Sequence, residues 1–399
     1  MSAYEMAKQM EASEVIAKIA SADIKEYGVY AEPLAEKLNG ILTNKQEDLI
    51  VAAGINNSDS KKVLLGLLKG DNGLKILEGL AIIGHGVGAK ELRLLLPEDE
   101  TELTANLKEA ADAYGIAIEN TFISANAYRE HGLFHIETML AVAEVIEGTY
   151  EPGAYVSVAG GELQRIAYGT KVADLVNLDD AKAVEIGSHL YTAAAAAEMV
   201  IDTDTPLGDG LIQVLGNDKC LMQEAEKRLL DARKTSCGKC TFCREGLNQI
   251  YGHIADITSG KGAKEGIPMM KEIGEAMTFS CNCSVGTVGA DFVLDALECF
   301  SSEFDAHIKK RTCPAGVCTC FTTIYIDPNL CEGCEECADV CPVDCIEGKA
   351  GHIHMIDDFD CTKCGKCIEV CEAEAIIQTT GRVPKLPTRL TKCGKFKKR

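Results

Sequence analysis

Between Cys331 and Cys371 the chain repeats one cysteine spacing, and no other feature limits its fold so tightly. The first run is C-x2-C-x2-C-x3-C-P, at Cys331, Cys334, Cys337, Cys341 and Pro342. The second is C-x2-C-x2-C-x3-C at Cys361, Cys364, Cys367 and Cys371, with Glu372 where the proline stood. Two-residue gaps let three sulfurs of one loop face a single [4Fe–4S] cube, and the fourth cysteine of each run serves the other cube. The spacing therefore predicts a first cube on Cys331, Cys334, Cys337 and Cys371. It predicts a second on Cys361, Cys364, Cys367 and Cys341. Gly333 and Gly365 leave room for backbone to wrap them. A pair of structural zinc knuckles is the competing reading, and two interleaved runs of four speak against it.

At 399 residues the chain has room for two to four domains of roughly 150 residues. A net charge of −21 argues against nucleic acid and anionic membrane as general partners. No apolar run approaches the roughly 18 residues of a membrane span. The first residues lack the basic, apolar and cleavage-site pattern of a signal peptide. Twenty cysteines in such a chain point to metal rather than disulfides, and to the reducing cytoplasm of an anaerobe.

Residues 3–27 carry apolar side chains at helical spacing and predict an N-terminal helical extension over 1–47. From 48 to 150 strand and helix alternate, which implies a partial Rossmann-like parallel sheet. The expected strands are 48–55, 91–96 and 116–123; the expected helices are 74–89, 101–115 and 133–148. Gly84-His85-Gly86-Val87-Gly88 mimics a nucleotide fingerprint but ends a helix instead of opening one, so it is discounted. Residues 154–176 alternate around a turn at Gly160-Gly161 and predict a β-grasp module over 151–190. Residues 191–310, after an alanine-rich helix and a strand at 211–216, read as a small helical bundle. A junction follows at 311–325, then an α+β ferredoxin domain over 326–380. A basic tail, 381–399, is either solvated or a strap onto an acidic partner.

The bundle carries a second iron signal. Cys237, Cys240 and Cys243 form C-x2-C-x2-C, with Cys281 and Cys283 as candidates for the fourth ligand and zinc as the competing metal. Lys239 and Arg244 would offset part of the cluster's negative charge. Nearer the C-terminus, Cys299, His307, Cys313 and Cys318 offer three thiolates and an imidazole, a set that suits closed tetrahedral zinc. Cys320 could stand in for Cys299, and plain buried thiols are the alternative.

The loop S-C-G-K-C-T-F-C-R-E-G at 236–246 resembles the cluster loop of the NADH-binding, flavin-carrying subunit of respiratory complex I. The same loop occurs in the β subunit of electron-bifurcating hydrogenases and formate dehydrogenases. Arg311, Cys313-Pro314-Ala315-Gly316-Val317-Cys318 and the two ferredoxin runs are similar to the hydrogenase-type members, and the resemblance covers residues 48 to 378. It implies that a distant cysteine in a C-x-x-G context completes the bundle cluster, which Cys283-Ser284-Val285-Gly286 matches. It also implies a zinc at the junction and a soluble-ligand-binding β-grasp domain.

The departures from that family concern the flavin. A glycine-rich phosphate loop ahead of the first strand is absent from residues 1–47, and Ala52 to Asp59 replace the acidic motif after it. His135-Ile136-Glu137-Thr138 replaces a G-E-E-T motif. The expectation is a retained fold with a degenerate FMN and NADH site. The chain then works as an iron–sulfur electron-transfer subunit of a soluble oxidoreductase complex, beside a flavoprotein partner, and is not a stand-alone enzyme. The alternatives are retained NADH oxidation on FMN, and a non-catalytic assembly scaffold.

Overall fold

A computed structural model describes residues 1–44, 46–380 and 382–396. Two compact units result. One comprises Met1–Asn217, Ala225–His253 and Glu265–Ser301; the other comprises Asp218–Glu224, Ile254–Lys264 and Ser302 onward.

In the first unit, strands β1 (Ile50–Gly54), β2 (Glu91–Leu96), β3 (Ile116–Asn120) and β4 (Gly132–His135) form an all-parallel sheet in the order β3-β2-β1-β4. β4 corrects the expected single helix at 133–148. Gly132–His135 pairs with β1, and the helix begins only at Ile136. The short apolar run is compatible with either period, and pairing with β1 decides it. Helices Gly70–Val87 and Ile136–Glu147 cover the sheet. They approach closely at Gly79, where a Cβ would stand 1.8 Å from the Met139 carbonyl oxygen. The expected nucleotide-like glycines end the first of these helices, with Gly88 in the left-handed conformation as its C-cap.

The N-terminal extension packs on the same helices. It breaks into helices Ala3–Ala7 and Ala12–Ala20, because Glu11 and Glu14 form a capping box that starts the second. Glu78 Oε2 accepts from the Ala3 amide at 2.8 Å, and Lys18 donates to the Ile146 carbonyl.

β5 (Gly153–Val158), β6 (Leu163–Ala167), β7 (Ala181–Ile186), β8 (His189–Thr192) and β9 (Leu211–Gly216) build a mixed sheet in the order β6-β5-β9-β7-β8. β5 and β9 are its parallel pair. This sheet has the character of the β-grasp module but extends beyond residue 190, because β9 lies at its centre. Residues 172–175, expected to alternate, form a helical turn. The alanine-rich stretch splits into β8 and the helix Ala193–Glu198.

The bundle helices of this unit include Gly266–Ser280 and Asp291–Cys299. His189 Nδ1 and the Leu190 amide both meet Asp295 Oδ2 at 2.9 Å, tying β8 to the last helix.

In the second unit β10 (Thr323–Ile326) pairs antiparallel with β13 (Ile376–Thr379), and β11 (Ile346–Glu347) with β12 (Met355–Ile356). An internal repeat is written into the backbone. Gly333 and Lys363, Glu335 and Gly365, and Asp344 and Glu374 all have positive φ, each pair separated by the offset of the cysteine runs. The tail is not free over its whole length. Ile353 N donates to Thr391 O at 2.9 Å, and Cys393 N to Gly351 O at 3.1 Å. Its last residues, Lys397, Lys398 and Arg399, lie outside the described residues. Among the described residues no helix is long and apolar enough to cross a membrane.

Candidate metal centres

The cysteine loops of the second unit bring their sulfurs together across the two runs. Burial pushes Cys337 up to about 12, and the neighbouring thiolates Cys331, Cys334, Cys367 and Cys371 add to the shift. Burial likewise raises Cys367, with Cys361, Cys364 and Cys341 contributing. Each central cysteine thus has around it the three partners that the interleaved spacing requires. Cys341, Cys361, Cys364 and Cys367 also line one pocket, with Cys345 as a fifth thiol there. Convergent thiols with no other ligand type suit an iron–sulfur cube, and a bound cluster would hold its four ligands as thiolates. A backbone amide completes the setting: Ala375 N donates to Cys371 Sγ at 3.3 Å.

In the first unit the loop after Thr235 presents Cys237, Cys240 and Cys243, and the chain returns through Cys281 and Cys283. Both of the latter lie beside Cys243. Their surroundings differ. Cys283 precedes the helical turn Ser284–Thr287. Burial raises its pKa and the nearby Gly286 and Val285 amides oppose the rise; Gly286 N donates to the Cys283 carbonyl oxygen at 3.1 Å. Cys281 is pushed up to about 12 by burial and by the thiolates of Cys243, Cys240 and Cys283, with no amide donor among the described residues to relieve it. Nearby amides favour the thiolate that iron needs, and both Cys281 and Cys283 lie beside Cys243. Gly286 is required here: a Cβ would stand 2.5 Å from Cys281 Sγ and 3.1 Å from Cys243 Cβ. Arg244, expected to offset cluster charge, donates to the Gly238 carbonyl at 3.0 Å within the same loop.

The third cluster departs from the set expected on spacing. Cys220, His307, Cys313 and Cys318 are all buried, with ligand atoms within 4.8 Å of one another. Cys299 is exposed at the end of its helix and is not in the group. Cys320 is also outside it and donates to the Thr258 carbonyl at 2.9 Å. Cys220 Sγ lies 3.3 Å from His307 Nε2 and 3.5 Å from Cys318 Sγ. His307 Nδ1 bonds the Glu303 carbonyl at 2.8 Å, which fixes the tautomer and turns Nε2 toward the sulfurs. Burial opposes a charge on His307, yet the Cys220 thiolate and the Glu303 carbonyl lift it to about 9. Sulfurs 3.5 Å apart approach the roughly 3.8 Å of thiolates on tetrahedral zinc with bonds of about 2.3 Å. Nothing near Cys220 in the sequence announces this role.

The carboxyl ends of the parallel strands, where open α/β sheets bind ligands, are taken up by the chain itself only in part. Glu26 meets the His135 amide, and Thr138 Oγ1 accepts from the Tyr27 amide at 3.1 Å. Glu137 Oε1 accepts from the Tyr155 amide at 2.7 Å. Asn57 clamps the backbone of Ile123. Gly28 packs so tightly that a Cβ would meet Asn56 Nδ2 at 2.2 Å. Two cavities remain there: one is lined by Glu26, Lys37, Asn56, His135 and Cys283 among others, and a larger one by Asn57, Asp59, Lys62, Asp99, Phe122 and Cys237 among others. Among the described residues no glycine-rich cradle of amides faces the first cavity; Asn57, Glu137 and Thr138 make internal bonds, while Asn56 Nδ2 and His135 Nε2 are buried without a hydrogen-bond partner.

Comparison with known proteins agrees with the resemblance carried by the cysteine loop. Residues 225–307 match the NADH-ubiquinone oxidoreductase-F iron-sulfur binding region. Residues 323–372 match the 4Fe-4S dicluster domain. NADP-reducing hydrogenase subunit HndC of Solidesulfovibrio fructosivorans is 28% identical over 342 residues, covering 83% of this chain and 65% of that subunit. An NADH-quinone oxidoreductase subunit of Rhizobium meliloti is 25% identical over 186 residues, covering 47% of this chain and 41% of its own length. The chain therefore spans less than two thirds of either relative. In fold it resembles a chain of the NAD+-reducing [NiFe]-hydrogenase in the H2-reduced state, with a TM-score of 0.65 at 17% identity. That likeness covers 77% of this chain and 65% of the other.

Proposed function

We infer that this chain is an iron–sulfur electron-transfer subunit of a cytoplasmic, multi-subunit oxidoreductase complex, relaying electrons to or from a flavin-bearing partner. The observation that carries the reading is the convergence of cysteines from both runs around Cys337 and around Cys367. The iron–sulfur domain matches and the relatives that are oxidoreductase subunits support it.

Twelve cysteines are assigned to three [4Fe–4S] cubes. Cys331, Cys334, Cys337 and Cys371 hold one; Cys361, Cys364, Cys367 and Cys341 hold another; Cys237, Cys240, Cys243 and Cys283 hold the third. Bound cubes supply reversible one-electron transfer. The protein's part is to bury the central thiols, set amides near Cys283, give an amide donor to Cys371, and exclude water from Cys337 and Cys367. Zinc on Cys220, His307, Cys313 and Cys318 is a structural staple: all four ligands are protein side chains and all are buried, so no position is open for substrate. Glu26 and Tyr27 engage His135 and Thr138 at the strand ends, which supports assigning hydride chemistry to a partner.

Anaerobic purification with iron, sulfide, zinc and flavin analysis tests this. The expected result is about twelve irons and twelve labile sulfides per chain, in line with three cubes. Iron near eight removes the bundle cube, and clusters that dithionite cannot reduce return the scaffold reading.

A further inference from the structure

The loops that open the two cysteine runs are built alike. Asp327 Oδ1 accepts from the Asn329 amide at 2.8 Å, and Asp327 O from the Cys331 amide at 3.1 Å. In the second loop Asp357 Oδ1 accepts from the Phe359 amide at 2.9 Å, and Asp357 O from the Cys361 amide at 3.0 Å. Phe359 therefore stands where the first loop has Asn329, whose Nδ2 also donates to Asp327 Oδ1. A polar residue satisfies this turn. The phenylalanine is nevertheless 94% exposed, more than any other large apolar residue among those described.

A fixed loop presents the ring. Besides the two bonds to Asp357, Asp357 N donates to Cys345 O at 2.8 Å, and Lys363 pairs with Asp358. Val343, also exposed, lines one pocket with Cys341, Cys361 and Thr362. An apolar fringe thus lies beside Cys341 and Cys361, both assigned to the second cube. Its chain neighbours Asp344 and Asp360 are exposed. Residues 323–380 carry thirteen acidic side chains against three lysines, so a face that fits this one is basic. The chain's own basic tail is engaged elsewhere, through Thr391 and Cys393 at 351–353, and leaves the ring bare.

We propose that Phe359 and Val343, with the carboxylates of Asp344 and Asp360, form the docking surface for an electron-transfer protein or subunit that carries a basic rim around an apolar pocket. The second cube exchanges electrons there. This rests on the reading that Cys361, Cys364, Cys367 and Cys341 hold a cube. One electron passes from the reduced cube to the partner's redox centre; the cube is oxidised, the centre is reduced, and no proton or bond moves. The ring is the anchor that the partner desolvates, and the carboxylates steer the approach.

The test is stopped-flow reduction of ferric cytochrome c, a basic haem protein used as the probe. The reductant is the full chain, prepared anaerobically, reduced with dithionite and desalted. Phe359→Asn, which installs the first loop's residue, lowers the second-order rate constant about tenfold, and Phe359→Tyr restores most of it. Asp344→Asn combined with Asp360→Asn lowers it about tenfold at low salt, and the difference from the parent fades at high salt. Asp71→Asn combined with Glu102→Gln, the same charge change on the first unit, leaves it within about twofold. Iron, sulfide and midpoint potentials match the parent throughout. Parent-like rates in Phe359→Asn overturn the proposal. An equal loss in the Asp71 and Glu102 variant overturns it too, by making the steering a property of net charge alone. Loss of iron from Phe359→Asn overturns it by making the ring a cover for the cube. A parent that dimerises through Phe359 in sedimentation overturns it by making the occupant a second copy. A parent chain without the second cube's paramagnetic signal defeats the underlying reading instead.

Discussion

Cys220 Sγ stands 3.3 Å from His307 Nε2, although 87 residues separate them. The contact closes a buried set of three thiols and one imidazole, and it displaces Cys299 from the site. Cys220→Ser should therefore cost the chain its zinc, from about one per chain to near none, as expected when one of four ligands is lost, whereas Cys299→Ser should retain it. Structural zinc contributes to folding directly, with apparent binding free energies on the order of 10 kcal/mol in small zinc domains. The Cys220 variant should accordingly melt well below the parent. Metal analysis and thermal unfolding check this; zinc lost from the Cys299 variant and kept in the Cys220 variant would make Cys299 the ligand.

The bundle cube makes a second distinction. Cys283→Ser should remove one of the three paramagnetic signals, because the Gly286 and Val285 amides lie near Cys283 and favour a thiolate there. Cys281→Ser should keep all three signals and about twelve irons, as three cubes require. The reverse pattern assigns the fourth ligand to Cys281.

Flavin provides a third. The chain alone should carry no stoichiometric FMN and show no NADH-driven bleaching. A flavin phosphate would have to displace the bonds that Glu26 and Thr138 make to His135 and Tyr27. Losing several phosphate contacts at roughly 1–3 kcal/mol each weakens binding by orders of magnitude. Tightly bound FMN in this chain within the intact complex, reduced rapidly by NADH, would sink the idea.

The fourth concerns pH. Glu137 is buried, and burial pushes it up to about 8, against the Tyr155 amide and the Arg165 charge and with the help of Glu144. Between its ordinary value of 4.5 and about 8 the folded chain holds a proton that the unfolded chain has released. Stability therefore falls as pH rises through that window. Glu137→Gln keeps an acceptor for the Tyr155 amide and removes the charge. It should flatten the decline and exceed the parent at the alkaline end of the window by on the order of a few kcal/mol. Melting curves across the range decide it, and parallel slopes in parent and variant count against the assignment.

The metal chemistry was legible in the sequence because a cube takes three sulfurs from one short loop, so its signature is local. Cys331 to Cys371 and Cys237 to Cys243 declare themselves by spacing alone. The parallel sheet was legible for the same reason, since strands at 48–55 and 91–96 carry their own period. What tertiary structure decided is what depends on residues far apart. Cys220 has no neighbour in sequence that marks it as a ligand. β4 is a strand only because β1 lies beside it, and β9 joins the β-grasp sheet across a long excursion of chain. Glu26 meets His135, and Tyr27 meets Thr138, across more than a hundred residues. Spacing records which donors one loop can aim at one ion; it cannot record which distant segments the collapse of an apolar core will press together.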